Sequence, residues 1–274
     1  METDTSTVVP ASRYVPSGRR RSVVAWVCLA LVACIGAYAA ARKVGSSSSM
    51  VRVAAGTVSI GAVDGEPDEQ PVHEAHIDAF EIDRAEITVA AYGACVAAGA
   101  CATPEAFHAQ CNTHERGNDA HPLNCATWAQ AAAYCTWAGK RLPSEEEWEY
   151  AARGAHGGKY PWGDAPPQER PCWNRPKSDG TCVAGSHPED RSLFGVLDMG
   201  GGVSEWTASP YCPYPGARPS SSTSTATCKP GARVTRGGSW DMTNPSYLRS
   251  TYRDWVLERD RGVNLGFRCA RSVR

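Results

Sequence analysis

The sequence predicts a loop-rich α+β fold with short strands and few helices. Runs of residues that favour helices are few, whereas glycine (26 residues), proline (19) and tryptophan (9) are abundant. Hydrophobic residues make up 42% of the 274 residues and charged residues 21%, which is enough apolar material for a packed core. The formal net charge of −1 argues against a nucleic-acid-binding protein that works through a basic face, so we expect no nucleic-acid partner.

An uncharged apolar segment, residues 22–41, stands apart from the rest of the chain. It is long enough to cross the hydrocarbon core of a bilayer as a helix, and three arginines directly precede it. Positive charge on its N-terminal side predicts a membrane protein with the N-terminus inside and an extracytoplasmic domain. A retained single-pass signal anchor is favoured over a signal peptide cleaved near Tyr38, which would release a secreted domain, because the preceding region is long for a signal peptide. A buried soluble helix is the least favoured interpretation.

The segments on either side of this apolar stretch lack the pattern of a folded domain. Residues 1–21 are rich in Ser, Thr and Arg and are predicted to form a disordered cytoplasmic tail. Residues 42–50 include a run of serines and are predicted to form a flexible linker. The globular part is therefore expected to span residues 51–274.

Alternation of apolar and polar residues predicts two strands at the start of this globular part. The first covers residues 51–61, which end on a glycine, and the second covers residues 73–83. After Gly154 the sequence predicts only turns and short strands.

Three helices are predicted from their capping residues. The first runs from about residue 88 to residue 98, with Thr88 as its N-cap and a glycine directly after it. The second and third begin with pairs that match capping boxes. These pairs are Thr127 with Gln130 and Ser144 with Glu147.

Cysteine usage fits an exported domain. Two of the twelve cysteines lie in the apolar segment, and the ten that remain are an even number, as in disulfide-bonded secreted domains. The sequence contains no Cys-x-x-Cys pair, which argues against a zinc ribbon or a thioredoxin-type redox motif. Proximity along the chain favours two disulfides, Cys172 with Cys182 and Cys212 with Cys228.

Five motifs follow one another in a fixed order after the second helix begins. They are YCTWAGKRLPSEEEWEYAARG (134–154), YPWGD (160–164), FGVLDMGGGVSEWTAS (194–209), VTRGGSW (234–240) and NLGFRCA (264–270). This ordered set closely resembles the formylglycine-generating enzyme family, also called the sulfatase-modifying factor domain, over residues 53–271. The resemblance implies a single domain of modified C-type-lectin architecture and a disulfide between Cys135 and Cys269. The pairing of Cys95, Cys101, Cys111 and Cys125 stays open among three connectivities.

The same motifs suggest structural roles for tryptophans and arginines. The tryptophans are expected to be core aromatics, each burying on the order of 200 Å²; they are Trp137, Trp148, Trp162, Trp206 and Trp240. Three arginines are expected to pair with buried carboxylates such as those of Glu147, Glu149 and Glu205; they are Arg141, Arg153 and Arg268.

The resemblance also raises the question of copper chemistry. The family's oxidases convert a cysteine of a sulfatase to formylglycine with two cysteines that bind copper, and soft thiolates suit Cu(I). Those cysteines follow the Gly-Gly-Ser motif, whereas here Met242 falls at the first position and Leu248 at the second, or Tyr247 if no gap is counted. No cysteine occurs between Cys228 and Cys269. Copper is therefore not expected as a cofactor.

Calcium is the other metal that the resemblance implies. Gly202 replaces an asparagine that is associated with a structural calcium site in the family, and Ser204 replaces a tryptophan, which puts that site in doubt. A second calcium region of the family falls near Asn174 and Asp179, whose oxygens suit a hard cation. A plain Asx turn is the alternative at these two residues.

Two functions from different classes follow from this pattern. The first is a binding or structural module whose ligand is a peptide, a protein or a glycan. Its candidate groove lies beside the Gly-Gly-Ser motif and is lined by Ser239, Trp240, Arg249, Tyr252 and Arg253. The second is an enzyme that generates formylglycine, or otherwise modifies peptides, on exported sulfatase-type proteins. The cysteine-free window after Ser239 favours the first function, and a purely structural role for the arginines is the alternative to a groove.

Overall fold

The computed structural model describes residues 49–217 and 227–273, and short strands there form three sheets. The strands are β1 (Met50–Val53), β2 (Gly56–Ile60), β3 (His73–Ile77), β4 (Phe80–Asp83), β5 (Ser204–Pro210), β6 (Ala232–Arg236), β7 (Arg253–Leu257), β8 (Leu265–Gly266) and β9 (Ala270–Ser272). The α-helices are α1 (Val89–Ala97), α2 (Trp128–Trp137) and α3 (Glu145–Arg153). This content confirms the α+β class and the loop-rich character that the composition predicts.

The two strands predicted at the start of the domain are each interrupted. Residues 51–61 contain most of β1 and all of β2, and residues 73–83 contain β3 and β4. The prediction of two continuous strands is wrong because each segment changes sheet partway along. β1 pairs with β4 in a sheet that also contains β9, whereas β2 pairs only with β3.

The three helices begin where their capping residues predict. The Thr88 hydroxyl accepts a hydrogen bond from the Ala91 amide at 3.2 Å, at the start of α1. The capping boxes that precede α2 and α3 both form. Local hydrogen bonding at helix ends therefore follows directly from the sequence in this domain.

A four-stranded sheet carries the segment that holds the candidate groove. Its strand order is β7-β6-β5-β8, and β5 runs parallel to β8 while the other pairs are antiparallel. The register places Glu205, Arg236 and Arg253 side by side on β5, β6 and β7. Helix α3 packs against β5 and β6 and also against β2 and β3. Charged residues of the sheet are thereby buried beneath a helix that has an acidic first turn.

The predicted core tryptophans divide into two groups. Trp148, Trp206 and Trp240 are buried, as predicted. Trp137 and Trp162 are only half-buried: Trp137 packs against the edge of a core cluster, and Trp162 stacks on Tyr160 with ring centroids 5.1 Å apart. The prediction of a core position is therefore wrong for these two residues, which cover the core from outside.

Five disulfides use all ten cysteines of the described residues. The predicted pairs Cys135–Cys269, Cys172–Cys182 and Cys212–Cys228 are confirmed. The pairing that the sequence left open is Cys95–Cys101 and Cys111–Cys125.

The predicted tail, the apolar segment and nearly all of the linker lie outside the described residues. Within residues 49–217 and 227–273, none of the helices combines the length and apolar character needed to span a bilayer.

Candidate functional site

The chain packs closely where it leaves β6 through the Gly-Gly-Ser motif. A Cβ atom on Gly238 would lie 2.3 Å from the Leu248 side chain and 2.5 Å from the Gly200 carbonyl oxygen. Any side chain at this position would therefore force the two segments apart. The close approach explains the glycine and indicates that the following residues are packed inward.

Ser239 and Trp240 are both part of the interior. Ser239 is 0% exposed, and its hydroxyl donates to Asp241 Oδ1 at 2.7 Å. Trp240 is 1% exposed, packs with Val203, and donates its indole N–H to the Val263 carbonyl at 3.3 Å. Fully buried side chains cannot line an open groove. The prediction that these two residues contact a ligand is corrected on that ground.

Arg253 is also buried, and it braces the sheet against α3. Its Nε and Nη2 donate to the two carboxylate oxygens of Glu145 at 2.7 and 2.9 Å. The same guanidinium donates to the carbonyls of Asp68 and Cys212 at 3.0 and 3.1 Å. Five hydrogen bonds within the domain occupy this side chain, so the alternative of a structural role holds for Arg253.

The two remaining residues of the predicted groove are half-buried. Arg249 donates to Glu69 Oε1 at 2.5 Å and to the Ser246 carbonyl at 3.0 Å, so its guanidinium is also held by the domain. Tyr252 lies next to Tyr247, with ring centroids 5.0 Å apart. Burial is the main cause that raises the pKa of Tyr252, which keeps the phenol protonated. The five predicted residues therefore do not form one exposed lining.

The positions that correspond to the copper cysteines hold no suitable ligand pair. Leu248 is fully buried, and Met242 is half-buried with its amide bonded to the Ser239 carbonyl. Every cysteine of the described residues is in a disulfide, so none supplies a thiolate. Nor do three or more His, Cys, Asp or Glu side chains in that part of the chain group together as a metal site. The residues present do not fit the copper that the family implies.

Asn174 and Asp179 lie in an exposed loop closed by the Cys172–Cys182 disulfide. Asn174 has a left-handed backbone (φ 50°), and its amide donates to the Met242 carbonyl at 2.9 Å. The Asp179 amide closes a turn onto the Pro176 carbonyl, and its carboxylate lies 3.8 Å from Arg175. The Asn174 backbone is thus tied to the segment after the Gly-Gly-Ser motif, and Asp179 has its partners within the loop. A calcium ion at this place stays a prediction.

A group of buried acids surrounds the Gly-Gly-Gly motif, and the sequence analysis missed most of it. Glu86, Asp190 and Asp198 are buried near Glu205, which forms a two-point ion pair with buried Arg268. Burial and a neighbouring aspartate raise the pKa of Glu86 well above its usual range, and the same causes raise the pKa of Asp190 to about 8. The available sequence signal was weak. Asp198 stands singly before the glycines, and Asp190 lies between Glu189 and Arg191 in a charged stretch that is typical of a surface.

The position of Glu86 also bears on the doubtful calcium site at Gly202. A Cβ atom on Gly202 would lie 2.1 Å from Glu86 Oε1, so the asparagine of the family would require the Glu86 carboxylate to move. Here the Glu86 carboxylate accepts a hydrogen bond from the Val203 amide at 3.3 Å. The asparagine that the family has at this position is therefore replaced by a glycine beside a carboxylate, and the ligand set that the family implies is not reproduced here.

The predicted arginine pairs all form. Arg141 binds Glu147 through two hydrogen bonds of 2.6 Å, and Arg153 contacts Glu149 at 2.8 Å. Arg268 binds Glu205 through two hydrogen bonds of 2.7 Å. The carboxylates of Glu149 and Glu205 are buried as predicted, whereas Glu147 is half-buried and pairs with an arginine at the surface.

Comparisons with known proteins agree with the motif pattern and with the fold. The family model for the sulfatase-modifying factor enzyme 1-like domain matches residues 37–273. An inactive C-alpha-formylglycine-generating enzyme 2 from Mus musculus is 37% identical over 167 residues, which cover 56% of this chain and 49% of the relative. A formylglycine-generating enzyme from Mycobacterium tuberculosis is 34% identical over 193 residues, which cover 58% of this chain and 62% of the relative.

A solved structure, that of PvdO from Pseudomonas aeruginosa, superposes with a TM-score of 0.66 at 28% identity, covering 82% of this chain and 94% of PvdO. The match to the mouse relative spans about half the length of that protein. The family match extends over all of the described residues. The chain therefore belongs to the sulfatase-modifying factor family.

Proposed function

We propose that this chain is a non-catalytic member of its family, a binding or structural module that does not carry out copper-dependent oxidation. One observation carries the proposal: all ten cysteines between residues 49 and 273 are held in five disulfides. Copper-dependent oxidation in this family needs two thiolates beside the substrate, and cysteine sulfurs that are joined in a disulfide are no longer thiolates. The mouse relative is named as an inactive enzyme, which is compatible with this proposal.

The buried state of the predicted groove supports the same conclusion. In an oxidase the segment after the Gly-Gly-Ser motif has to present reactive atoms to a bound peptide. Here Ser239, Trp240 and Arg253 turn inward and bond to the domain itself. The segment therefore serves the fold, and a peptide, protein or glycan ligand has to be bound by another part of the surface.

The alternative is a formylglycine-generating or related peptide-modifying enzyme, which the named activity of the M. tuberculosis relative favours. Both proposals are tested by incubating the full chain with Cu(I), oxygen and a cysteine peptide of the sulfatase type, and measuring aldehyde by mass spectrometry. The M. tuberculosis enzyme, assayed in parallel, provides the positive control. We expect no aldehyde above the protein-free background. Turnover by this chain, with its disulfides intact, would refute the non-catalytic proposal.

We further propose that the domain is displayed outside a membrane on a single-pass anchor. The uncharged segment 22–41 with arginines before it supports the anchor, and five disulfides suit an oxidising compartment. We expect the chain to stay with the membrane fraction after alkaline carbonate extraction. It should also be cut by a protease added outside spheroplasts. Release by carbonate, or full protection from the protease, would contradict this topology.

A further inference from the structure

A cavity of about 600 Å³ lies between α1 and the loop that follows it. It is far in sequence from the Gly-Gly-Ser segment, and the motif pattern does not point to it. One wall is the outer face of α1, where Ala90, Gly93 and Ala97 are exposed. The other walls are residues 103–106 and 111–115, and the base is formed by residues 123–125. Its volume lies in the range of binding pockets in proteins.

Two disulfides fix the walls of this cavity. Cys95–Cys101 ties the last turn of α1 to the loop that forms the opposite wall. Cys111–Cys125 joins that loop to the base of the cavity, and both of its cysteines are lining residues. The cavity is therefore built into the covalent framework of the domain, and little ordering is needed when a ligand enters.

Buried side-chain amides join one wall of the cavity to its base. The Asn112 side chain donates to the Pro122 carbonyl and the Thr181 hydroxyl at 2.8 and 2.9 Å, and accepts from Asn118 at 2.6 Å. The Asn124 side chain accepts a hydrogen bond from the backbone N–H of Asn112 at 2.7 Å and donates to the Gln110 carbonyl at 2.9 Å. The polar atoms of both side chains thus form hydrogen bonds within the domain. A ligand group that enters the cavity therefore contacts mainly apolar surface.

Apart from one histidine, the ionisable side chains that line the cavity are all acidic. The lining contains the carboxylates of Glu105, Glu115 and Asp119, and it contains no lysine or arginine. Arg261 pairs with Glu105 from outside the lining at 2.8 Å, and His114 lies 2.6 Å from Asp119. A backbone hydrogen bond is the main cause that lowers the pKa of Glu115, which therefore stays ionised at neutral pH.

We propose that this cavity binds an extended segment of another protein that inserts one or two large apolar side chains and places a lysine or arginine against the Glu115 carboxylate at its rim. This inference rests on the proposed non-catalytic binding function and names the kind of partner. The satisfied amides of Asn112 and Asn124 favour an apolar insertion. Because the other two carboxylates of the lining already pair with Arg261 and His114, the exposed Glu115 carboxylate is the group that favours a neighbouring positive charge by charge complementarity. Burial of the inserted side chains supplies most of the affinity.

Gly93 offers a way to fill the cavity without disturbing the core. A Cβ atom at this position meets no atom within 4 Å, and the residue is exposed in the middle of α1. Gly93→Leu would put a branched side chain into the cavity, and Gly93→Ala is the matched control that adds one methyl group. Both substitutions raise helix propensity, so both variants are expected to be at least as stable as the parent protein.

The probes are three acetylated peptide amides, used with the full chain in isothermal titration calorimetry. The first has the sequence Gly-Lys-Leu-Phe-Lys-Gly, the second carries glutamate in place of both lysines, and the third carries serine in place of leucine and phenylalanine. The expected result is binding of the first peptide at least about tenfold tighter than either of the others. Gly93→Leu should weaken that binding by about tenfold or more, and Gly93→Ala should leave it within about twofold.

A second variant tests the charge at the rim. Glu115→Gln removes a carboxylate from an exposed residue, and it should weaken binding of the lysine peptide by about threefold, with a smaller effect at high salt. The proposal is overturned if the lysine peptide does not bind, if the glutamate peptide binds equally well, or if a folded Gly93→Leu protein binds like the parent.

These outcomes are separate from the outcome of the oxidation assay. If Gly93→Leu does not change binding, the peptide binds at another surface, and the non-catalytic proposal is unaffected. Aldehyde formation with normal cavity binding overturns the non-catalytic proposal and leaves the cavity assignment intact.

Discussion

Replacing Arg268 should destabilise this domain more than most single substitutions, because its charge compensates a group of buried acids. Arg268 is fully buried and makes two hydrogen bonds of 2.7 Å with Glu205. It also donates to the carbonyl oxygens of Leu197 and Asp83 at 2.9 and 3.1 Å. Arg268→Met keeps an unbranched apolar side chain at the site and removes all of these contacts.

The size of the effect follows from what is left behind. Without the guanidinium, buried Glu205 keeps one described donor, the indole N–H of Trp148 at 2.8 Å. Removing one partner of a buried ion pair typically costs about 3–5 kcal/mol in the free energy of unfolding. For a domain of this size, such a loss lowers the melting temperature by about 10 °C. Glu205→Gln in the same protein neutralises the stranded carboxylate and keeps an acceptor for the tryptophan.

A double-mutant cycle measures the pair directly. The parent protein, Arg268→Met, Glu205→Gln and the double variant would be unfolded in urea with disulfides intact and followed by tryptophan fluorescence. We expect the double variant to be more stable than Arg268→Met alone by about 2 kcal/mol, since contacting residues are not additive. A loss below about 1 kcal/mol for Arg268→Met, or strict additivity in the double variant, would refute the reasoning.

Two further predictions concern the acids and the disulfides. Burial is the main cause that raises the pKa of Asp190 from its ordinary value of 3.8 to about 8 in the folded domain. The protonated carboxyl therefore contributes fully to the free energy of unfolding below pH 3.8, and this contribution is lost as the pH rises through about 8. Asp190→Asn should therefore flatten the fall in the free energy of unfolding over this range, by up to about 1.4 kcal/mol per pH unit, and an unchanged slope in urea titrations would contradict the assignment. Replacing Cys135 and Cys269 with serine opens a loop with a sequence separation of 134 and should cost about 5 kcal/mol, whereas the same change at Cys95 and Cys101, with a separation of 6, should cost about 2 kcal/mol. Equal shifts in the urea midpoint for the two double variants would show that loop length does not govern these contributions.

Features that depend on neighbouring residues could be predicted from the sequence. Thr88 and the two capping boxes fix where the helices begin, because their hydrogen bonds span three residues. The nearby pairs Cys172–Cys182 and Cys212–Cys228 formed as chain proximity predicts. The ordered motifs predicted the family and the α+β fold, and with it the Cys135–Cys269 bond.

Features that depend on segments far apart in the chain were decided by the tertiary structure. The sequence presents Arg253 as a candidate ligand contact, yet its carboxylate partner Glu145 lies 108 residues away, and only the packing of α3 on the sheet brings the two together. In the same way, Glu86 enters the space beside Gly202 from a distant segment. The sequence shows which side chains are polar. Whether a polar side chain faces solvent or a buried partner depends on the free energy of desolvation, and hence on the neighbours that the fold supplies.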